Sequence, residues 1–416
     1  MLIEKIIKDN AGLLETPYYL YSYDDLKQST RVLLNTLPQK SELLYSIKAN
    51  PNSTIIKFMD KEGVMFEVAS EGELRHVLGI GIESQKVVFS GQGKTKSGLI
   101  SAIKNEVLAI NIESLRELND TITISKELNK STKIILRINP MFNNEESALK
   151  MGGIPSSYGI DEEQLFVFLS QNESKIIDGL FTYIGSNYHN YKYIVENTRY
   201  LFELAEKLYD KYNIKLRYLD FGGGFGIPEF DTDPELDMTM LAIELNKLFE
   251  EKLSLDCFTD IERLFFESGR YLTARSAVLV TRVIDVKISR GKKYVILDGG
   301  INCLGIKQME YRRVEPCLQL VKTDGYIEES EEVCIVGTTC TPIDVVHKGV
   351  TLPIVEIGDY IYFNECGAYS LEFSPQSFCG QVSPAEHIIK DNQIFTMRNR
   401  GNYNSPYGCL FTNINV

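Results

Sequence analysis

The chain has 416 residues, 44% of them hydrophobic and 24% charged, which is ordinary for a folded globular protein but too long for one ordinary core. Its formal net charge of −13 argues against a nucleic-acid surface and against an anchor on an anionic membrane. No apolar run is long enough to span a bilayer, and Met1-Leu2-Ile3-Glu4-Lys5 lacks the apolar stretch of a signal peptide, so a cytoplasmic protein is expected.

Pro17-Tyr18-Tyr19-Leu20-Tyr21-Ser22-Tyr23 is strand-like. The next apolar run, Leu43-Leu44-Tyr45-Ser46-Ile47, predicts a buried strand over 43–47 that Asn50-Pro51-Asn52 stops. It ends on Lys48. A lysine held at the rim of a core is pushed toward its neutral, nucleophilic form and can make a Schiff base, whereas a surface lysine opening a loop does neither. Further strands are predicted over 64–69, 86–89, 108–112, 133–138, 177–184, 216–221 and 263–267. Helical patterns lie between them, over 71–78, 114–128 and 193–212 among others. Alternation of this kind over about 230 residues has the size and rhythm of a (β/α)8 barrel, in which strand C-terminal ends face the active site.

After Arg270 the texture changes to strands over 277–288, 292–297, 332–337 and 360–363, with turns at Arg290-Gly291-Lys292 and Asp298-Gly299-Gly300. This reads as a mainly antiparallel β domain. The expected organisation is a barrel over 24–272 and a β domain made of 1–23 and 273–416. Eight cysteines, at 257, 303, 317, 334, 340, 366, 379 and 409, show no CxxC pairing, and four histidines are scattered. No metal site is expected, and most of the cysteines read as small buried hydrophobes.

Several strand ends carry chemistry. Leu219-Asp220-Phe221-Gly222-Gly223-Gly224-Phe225-Gly226 closes a strand with consecutive glycines, whose N–H groups can form a nest for phosphate. Ile184-Gly185-Ser186 is a second donor group; the two follow the sixth and seventh predicted strands, where barrels typically bind phosphate. Phe265-Phe266-Glu267-Ser268-Gly269-Arg270 ends the last barrel strand with a carboxylate and an arginine suited to phosphate oxygens. In the β domain, Thr338-Thr339-Cys340-Thr341-Pro342-Ile343-Asp344 sets a cysteine in a polar loop, and Asn364-Glu365-Cys366-Gly367-Ala368-Tyr369 puts a tyrosine after a strand. Taken singly, each is as well explained by a tight turn, a surface ion pair or a core residue.

In this order the stretches YSIKAN, FEVASEGEL, FSGQGKT, INIESLREL, LRINP, YIGS, DFGGGFG, ESGRYL, DGG, TTCTPID and ECGAY resemble the fold type III pyridoxal-phosphate decarboxylases. That group includes the ornithine, arginine and diaminopimelate enzymes. The resemblance runs from about Pro17 to the C-terminus. It implies pyridoxal 5'-phosphate as cofactor and Lys48 as the lysine that holds it. Ser186, Gly223, Gly224, Gly269, Arg270 and Tyr369 look like phosphate ligands, Glu267 like the acid paired with the pyridine nitrogen, and Glu67 and Arg137 like residues near the ring. Cys340 is similar to the cysteine that crosses a homodimer interface to complete the partner's site, where it would return a proton after carbon dioxide departs.

Tyr183 stands where the family usually has a ring-stacking histidine, and Ser268 and Cys379 also depart from common residues. An aromatic ring still stacks there. Met151-Gly152-Gly153, Cys340-Thr341-Pro342 and Ser383-Pro384-Ala385-Glu386 resemble members of siderophore, antibiotic and carrier-protein-linked pathways. Thr341 stands where ornithine-type enzymes have an acid, Lys307 aligns with a second acidic position, and Asp344 lies close by. A cationic substrate tail beside Lys307 would meet like charge, so the resemblance implies an amino acid, free or carrier-bound, with an anionic or acylated side chain. The alternatives are a diaminopimelate or basic-amino-acid decarboxylase, an amino-acid racemase, and a non-catalytic binding protein. Lys48, Arg270 and Cys340 together favour the decarboxylase.

Overall fold

The computed structural model describes residues 2–141, 152–171, 177–228, 233–305, 317–323, 325 and 329–402. The chain divides into two units, Ser29–Leu272 and Met1–Gln28 with Thr273–Val416. The first strand, β1 (Tyr18–Ser22), belongs to the second unit; the first unit is built on β2 (Ser41–Ser46), β3 (Met65–Val68), β4 (Val87–Phe89), β5 (Ala109–Ile112), β6 (Ile134–Asn139), β7 (Ile160–Asp161), β8 (Gly179–Phe181), β9 (Tyr218–Asp220) and β10 (Arg263–Ser268).

All pairings in this unit are parallel, in the order β5-β4-β3-β2-β10-β9-β8-β6, and the further pairing of β5 with β6 closes the ring. The eight predicted strands are therefore the eight staves of a barrel, while β7 only extends the end of β6. Side chains alternate between lumen and helix side. On the lumen side Leu44, Met65, Val88, Ala109, Ile135, Phe181, Tyr218 and Phe265, one from each stave, join a single buried apolar cluster. This is the floor of the site.

Two helices after the staves begin with the same device. Ser70 Oγ accepts from Glu73 N (3.1 Å) while Glu73 Oε2 accepts from Ala69 N (2.6 Å). Ser114 Oγ accepts from Glu117 N (3.2 Å) while Glu117 Oε1 accepts from Glu113 N (3.4 Å). Both resemble the S-x-x-E capping box: the serine satisfies an orphan N–H of the helix start, and the glutamate takes the N–H of the residue before the cap. One expectation shifts: β2 stops at Ser46, and Ile47–Ala49 is a 3-10 turn. Asn50 N donates to Ile47 O (3.0 Å), and the Tyr45 hydroxyl donates to Asn50 O (2.8 Å), so the chain turns one residue early.

The second unit holds β1 with β11 (Ala277–Ser289), β12 (Lys292–Leu297), β13 (Leu318–Val321), β14 (Ser330–Val336), β15 (Val345–Pro353), β16 (Tyr360–Phe363), β17 (Ala385–Lys390) and β18 (Gln393–Arg398). Pairing is antiparallel except for β1 with β17 and β12 with β14. β1 lies inside this sheet, Tyr18 opposite both Val280 and Ala385. The helix Leu2–Asp9 adds Ile7 to the core beneath it. Strands β13, β15, β17 and β18 were not predicted. β15 buries only two of its nine residues, so its apolar signal is thin. The β17–β18 hairpin turns on Asp391 (φ 51°) and Asn392 (φ 59°), without the glycine that usually announces such a turn.

Leu44 is fully buried in the floor. Leu44→Ala is expected to destabilise the barrel unit by about 2–5 kcal/mol, read as a lower urea midpoint with an unchanged slope. Val167→Ala, at an exposed helix position, should stay within about 0.5 kcal/mol.

Candidate active site

Two residues beyond the floor, the same alternation points Ser46, Glu67, Ser90, Asn111, Arg137, Tyr183, Asp220 and Glu267 into the lumen at the C-terminal end of the staves. All but Tyr183 are buried. An apolar floor thus carries a polar ring, at the end of the barrel where active sites are built.

Lys48 stands on the 3-10 turn, with its Nζ 2.6 Å from Glu67 Oε2. Its side chain is 43% exposed and that of Glu67 is 2% exposed. The expected burial of the lysine is therefore corrected: the early turn lifts it out of the core, and its buried partner is Glu67. Arg137 donates from Nη1 to Glu113 Oε1 (3.0 Å), and its guanidinium lies 4.7 Å from the Tyr158 ring centre, 5.2 Å from Phe181 and 5.9 Å from Tyr183. These contacts combine a buried ion pair with cation–π attraction.

On the paired staves β9 and β10, Asp220 and Glu267 come together. Asp220 Oδ1 accepts from Gly222 N (2.9 Å), and Asn111 Nδ2 reaches Asp220 Oδ2 at 3.5 Å. Glu267 lies within hydrogen-bonding reach of Asp220, and its Oε1 is buried and accepts no hydrogen bond. Burial pushes Asp220 up to about 7. Glu267 is raised well above the usual carboxylate range by burial first, then by the charges of Asp220 and Glu67.

The glycine loop leaves Asp220 directly. A Cβ on Gly223 would lie 2.1 Å from Glu267 O, and one on Gly224 would lie 2.7 Å from the Tyr188 ring. Gly222 and Gly224 have φ of 64° and 100°. Only glycine fits this path. Tyr188 N donates to Gly224 O (2.8 Å) and Gly226 N to Tyr188 O (3.1 Å), which zips this loop to the one bearing Gly185 and Ser186. Gly269 and Arg270 follow β10 at the same end. The barrel unit therefore brings Lys48, Glu67, Arg137, Tyr183, Ser186, Gly223, Gly224, Glu267, Gly269 and Arg270 to one mouth.

In the β unit, Cys340 is exposed. The loop beneath it is held by Asp344, which accepts from Ile301 N on Oδ1 (2.8 Å) and from Thr339 N (2.8 Å) and Thr339 Oγ1 on Oδ2. Asp344 is 3% exposed, and its carboxylate ties the Gly300 turn to the Thr339-Cys340 loop. Thr341 lies in that loop, its N donating to Thr339 O (2.8 Å). Tyr369 adopts a left-handed φ of 56° and packs edge-on to Phe373 at 6.2 Å. Lys307 lies outside the described residues. Cys257, Cys303, Cys334 and Cys366 are buried as expected, whereas Cys317 and Cys379, like Cys340, are exposed.

Reading the sequence missed Asn111, Asp220 and the support behind Arg137. Lys94, its side chain 1% exposed, donates to Gly91 O (2.7 Å), Asn111 O (2.5 Å) and Glu117 Oε1 (2.7 Å). Glu113 accepts from both Arg137 and Gly159 N (2.8 Å). Burial pushes Lys94 down and Glu117 up, each toward its neutral form, in spite of the pairing. A carboxylate in an apolar strand and the S-x-x-E box were the available signals. Lys94→Met would leave Glu117 buried without its cation, an expected loss of about 3–5 kcal/mol in chemical denaturation; Lys94→Met with Glu117→Gln should recover part of it.

Residues 23–274 match the family model described as "Pyridoxal-dependent decarboxylase, pyridoxal binding domain". An L-glutamyl-[BtrI acyl-carrier protein] decarboxylase of Niallia circulans is 32% identical over 93% of this chain and 92% of its own. A diaminopimelate decarboxylase of Helicobacter pylori is 29% identical over 93% of both chains. The crystal structure of a Helicobacter pylori diaminopimelate decarboxylase complexed with L-lysine superposes with a TM-score of 0.84 at 26% identity, covering 94% of this chain and 96% of that one. The barrel with its mainly antiparallel second sheet, the ordered motifs and these matches make this chain a member of the pyridoxal-dependent decarboxylase family, a fold type III carboxy-lyase that uses pyridoxal phosphate.

Proposed function

We propose that this chain decarboxylates an amino acid whose side chain carries an anionic or acylated arm, free or attached to a carrier protein, in a biosynthetic pathway. The observation that carries this reading is the 32% identity, over 93% of the chain, to a decarboxylase that acts on a glutamyl group held on an acyl-carrier protein. The Cys340 loop agrees. Thr341 is uncharged, and Asp344, the carboxylate of the same loop, is buried on backbone N–H groups, so this loop offers no exposed carboxylate to a distal ammonium.

The barrel mouth fits pyridoxal phosphate on its own chemistry. It has an amine at Lys48, a buried carboxylate oxygen without a hydrogen bond at Glu267, an aromatic face at Tyr183, and a glycine loop that no Cβ could enter. When bound, the cofactor supplies an electron sink for the pair left behind by carbon dioxide. Lys48 would hold it covalently through Nζ, and Glu67, 2.6 Å away, would take and return the amine proton. Glu267 would hold a protonated ring nitrogen. Tyr183 would lie on the ring face, with Arg137 fixed beside it by Glu113. Ser186, Gly223, Gly224, Gly269 and Arg270 would bind the phosphate, as the resemblance also assigns to Tyr369. By that resemblance Cys340 delivers a proton to the carbon that lost its carboxylate, in the site of a second copy of a homodimer.

Mass analysis of products from a panel of glutamate, a carrier-bound glutamyl thioester, diaminopimelate, ornithine and lysine should give an amine from the acylated or anionic members. Efficient turnover of ornithine or lysine would overturn the substrate reading. Borohydride reduction and peptide mapping should find the pyridoxyl label on Lys48, and Lys48→Ala should abolish it. Cys340→Ala should keep the visible cofactor band while amine formation falls by about 10²–10⁴-fold, and sedimentation should find a dimer.

A further inference from the structure

Three carboxylates, Glu67, Asp220 and Glu267, point into the barrel, and two of them contact each other. From the neighbouring elements they are faced by Lys48 on the turn after β2, Arg137 on β6 and the neutral Asn111 on β5. Lys48 is engaged by Glu67 and Arg137 by Glu113. Through their charge both cations lower the proton affinity of Glu267, but burial and the neighbouring carboxylates outweigh them, and Asp220 and Glu267 are each at least 96% buried. Two ionised carboxylates cannot share a hydrogen bond; a single proton between them makes one.

We infer that Asp220 and Glu267 hold one proton between them, and that Asp220 is a positioning residue which takes this proton when a cationic ring nitrogen settles against Glu267. The inference rests on the reading of Glu267 as the partner of the ring nitrogen. In the cofactor-free barrel the proton sits on Glu267, which donates to Asp220. When a positive charge arrives at Glu267 Oε1, the Glu267 O–H bond breaks and an O–H bond forms on Asp220. The negative charge moves the opposite way, and no proton or electron enters or leaves the pair. Asp220 is suited to this because Gly222 N and Asn111 Nδ2 fix its carboxyl between Glu267 and the glycine loop. Burial raises the proton affinity of both residues, which agrees with a proton held between them in the cofactor-free state. After the transfer one carboxylate faces one cation, with a neutral acid behind it. The charge at the Asp220–Glu267 pair is then balanced where it lies.

The test is isotope-edited infrared difference spectroscopy on the full-length protein at mildly alkaline pH, with and without pyridoxal phosphate. One sample carries 13C in glutamate side chains and another in aspartate side chains. Binding should abolish a protonated-carboxyl band that moves with the glutamate label and create one that moves with the aspartate label. In Asp220→Asn the aspartate band should not appear. The glutamate band of the cofactor-free variant should titrate about one pH unit or more below that of the natural protein, because its anionic neighbour is gone. Loss of the glutamate band with no aspartate band would overturn the role of Asp220 while leaving Glu267 as the partner of the ring. A glutamate band that persists after the visible spectrum shows the cofactor bound would overturn the reading of Glu267 itself. An unchanged glutamate titration in Asp220→Asn would show that the two residues share no proton.

Discussion

The period of two along eight closed staves is the constraint on which the rest depends. Closing the ring leaves no strand edge and fixes which side chains face inward. One step along the lumen, from Leu44 to Ser46, Met65 to Glu67, Ile135 to Arg137 or Phe265 to Glu267, changes the interior from apolar to polar. The floor supplies hydrophobic stability. The ring above it supplies charge in a place that water reaches poorly, where electrostatic interactions are strong and unpaired groups are expensive.

The expense explains the second ring of residues. Arg137 is held by Glu113, Glu113 also takes Gly159 N, and the backbone at Asn111 and Glu113 is clamped by Lys94 and Glu117. Each buried charge is answered by another or by backbone N–H and C=O groups, as burial requires. The same capping box that starts a helix after β5 thus contributes Glu117 to this network, linking a local folding signal to the orientation of Arg137. The Asp220–Glu267 contact is the exception, and Glu267 Oε1 remains there without a hydrogen bond.

In the β unit, Asp344 plays the part that glycine plays in the barrel: it permits a tight meeting of two loops. Its carboxylate occupies the space that a Cβ on Gly300 or Gly337 would fill, 2.2 Å and 2.4 Å away. The exposed position of Cys340 depends on this buried acid, four residues on in sequence and engaged with the backbone on both sides.

The sequence alone determined the eight staves, the change to a β-rich second region and the ordered motifs at strand ends. Those features are local: apolar runs of strand length, helix periodicity, glycine clusters and capping residues are legible without knowing what they touch. It did not determine the partner of any charged group. Lys48 looked like a buried strand-end amine, and the Tyr45–Asn50 hydrogen bond instead turns it out to meet Glu67, nineteen residues away. Asp344 looked like one more residue of a polar loop, and the structure sets its oxygens on Ile301 and Thr339. Asp220 looked like the start of a glycine loop, and only the pairing of β9 with β10 sets it against Glu267 from the neighbouring stave. Strand propensity is a property of a few consecutive residues. The protonation and partners of a carboxylate depend on which distant residues share its burial, and that is decided by the tertiary fold.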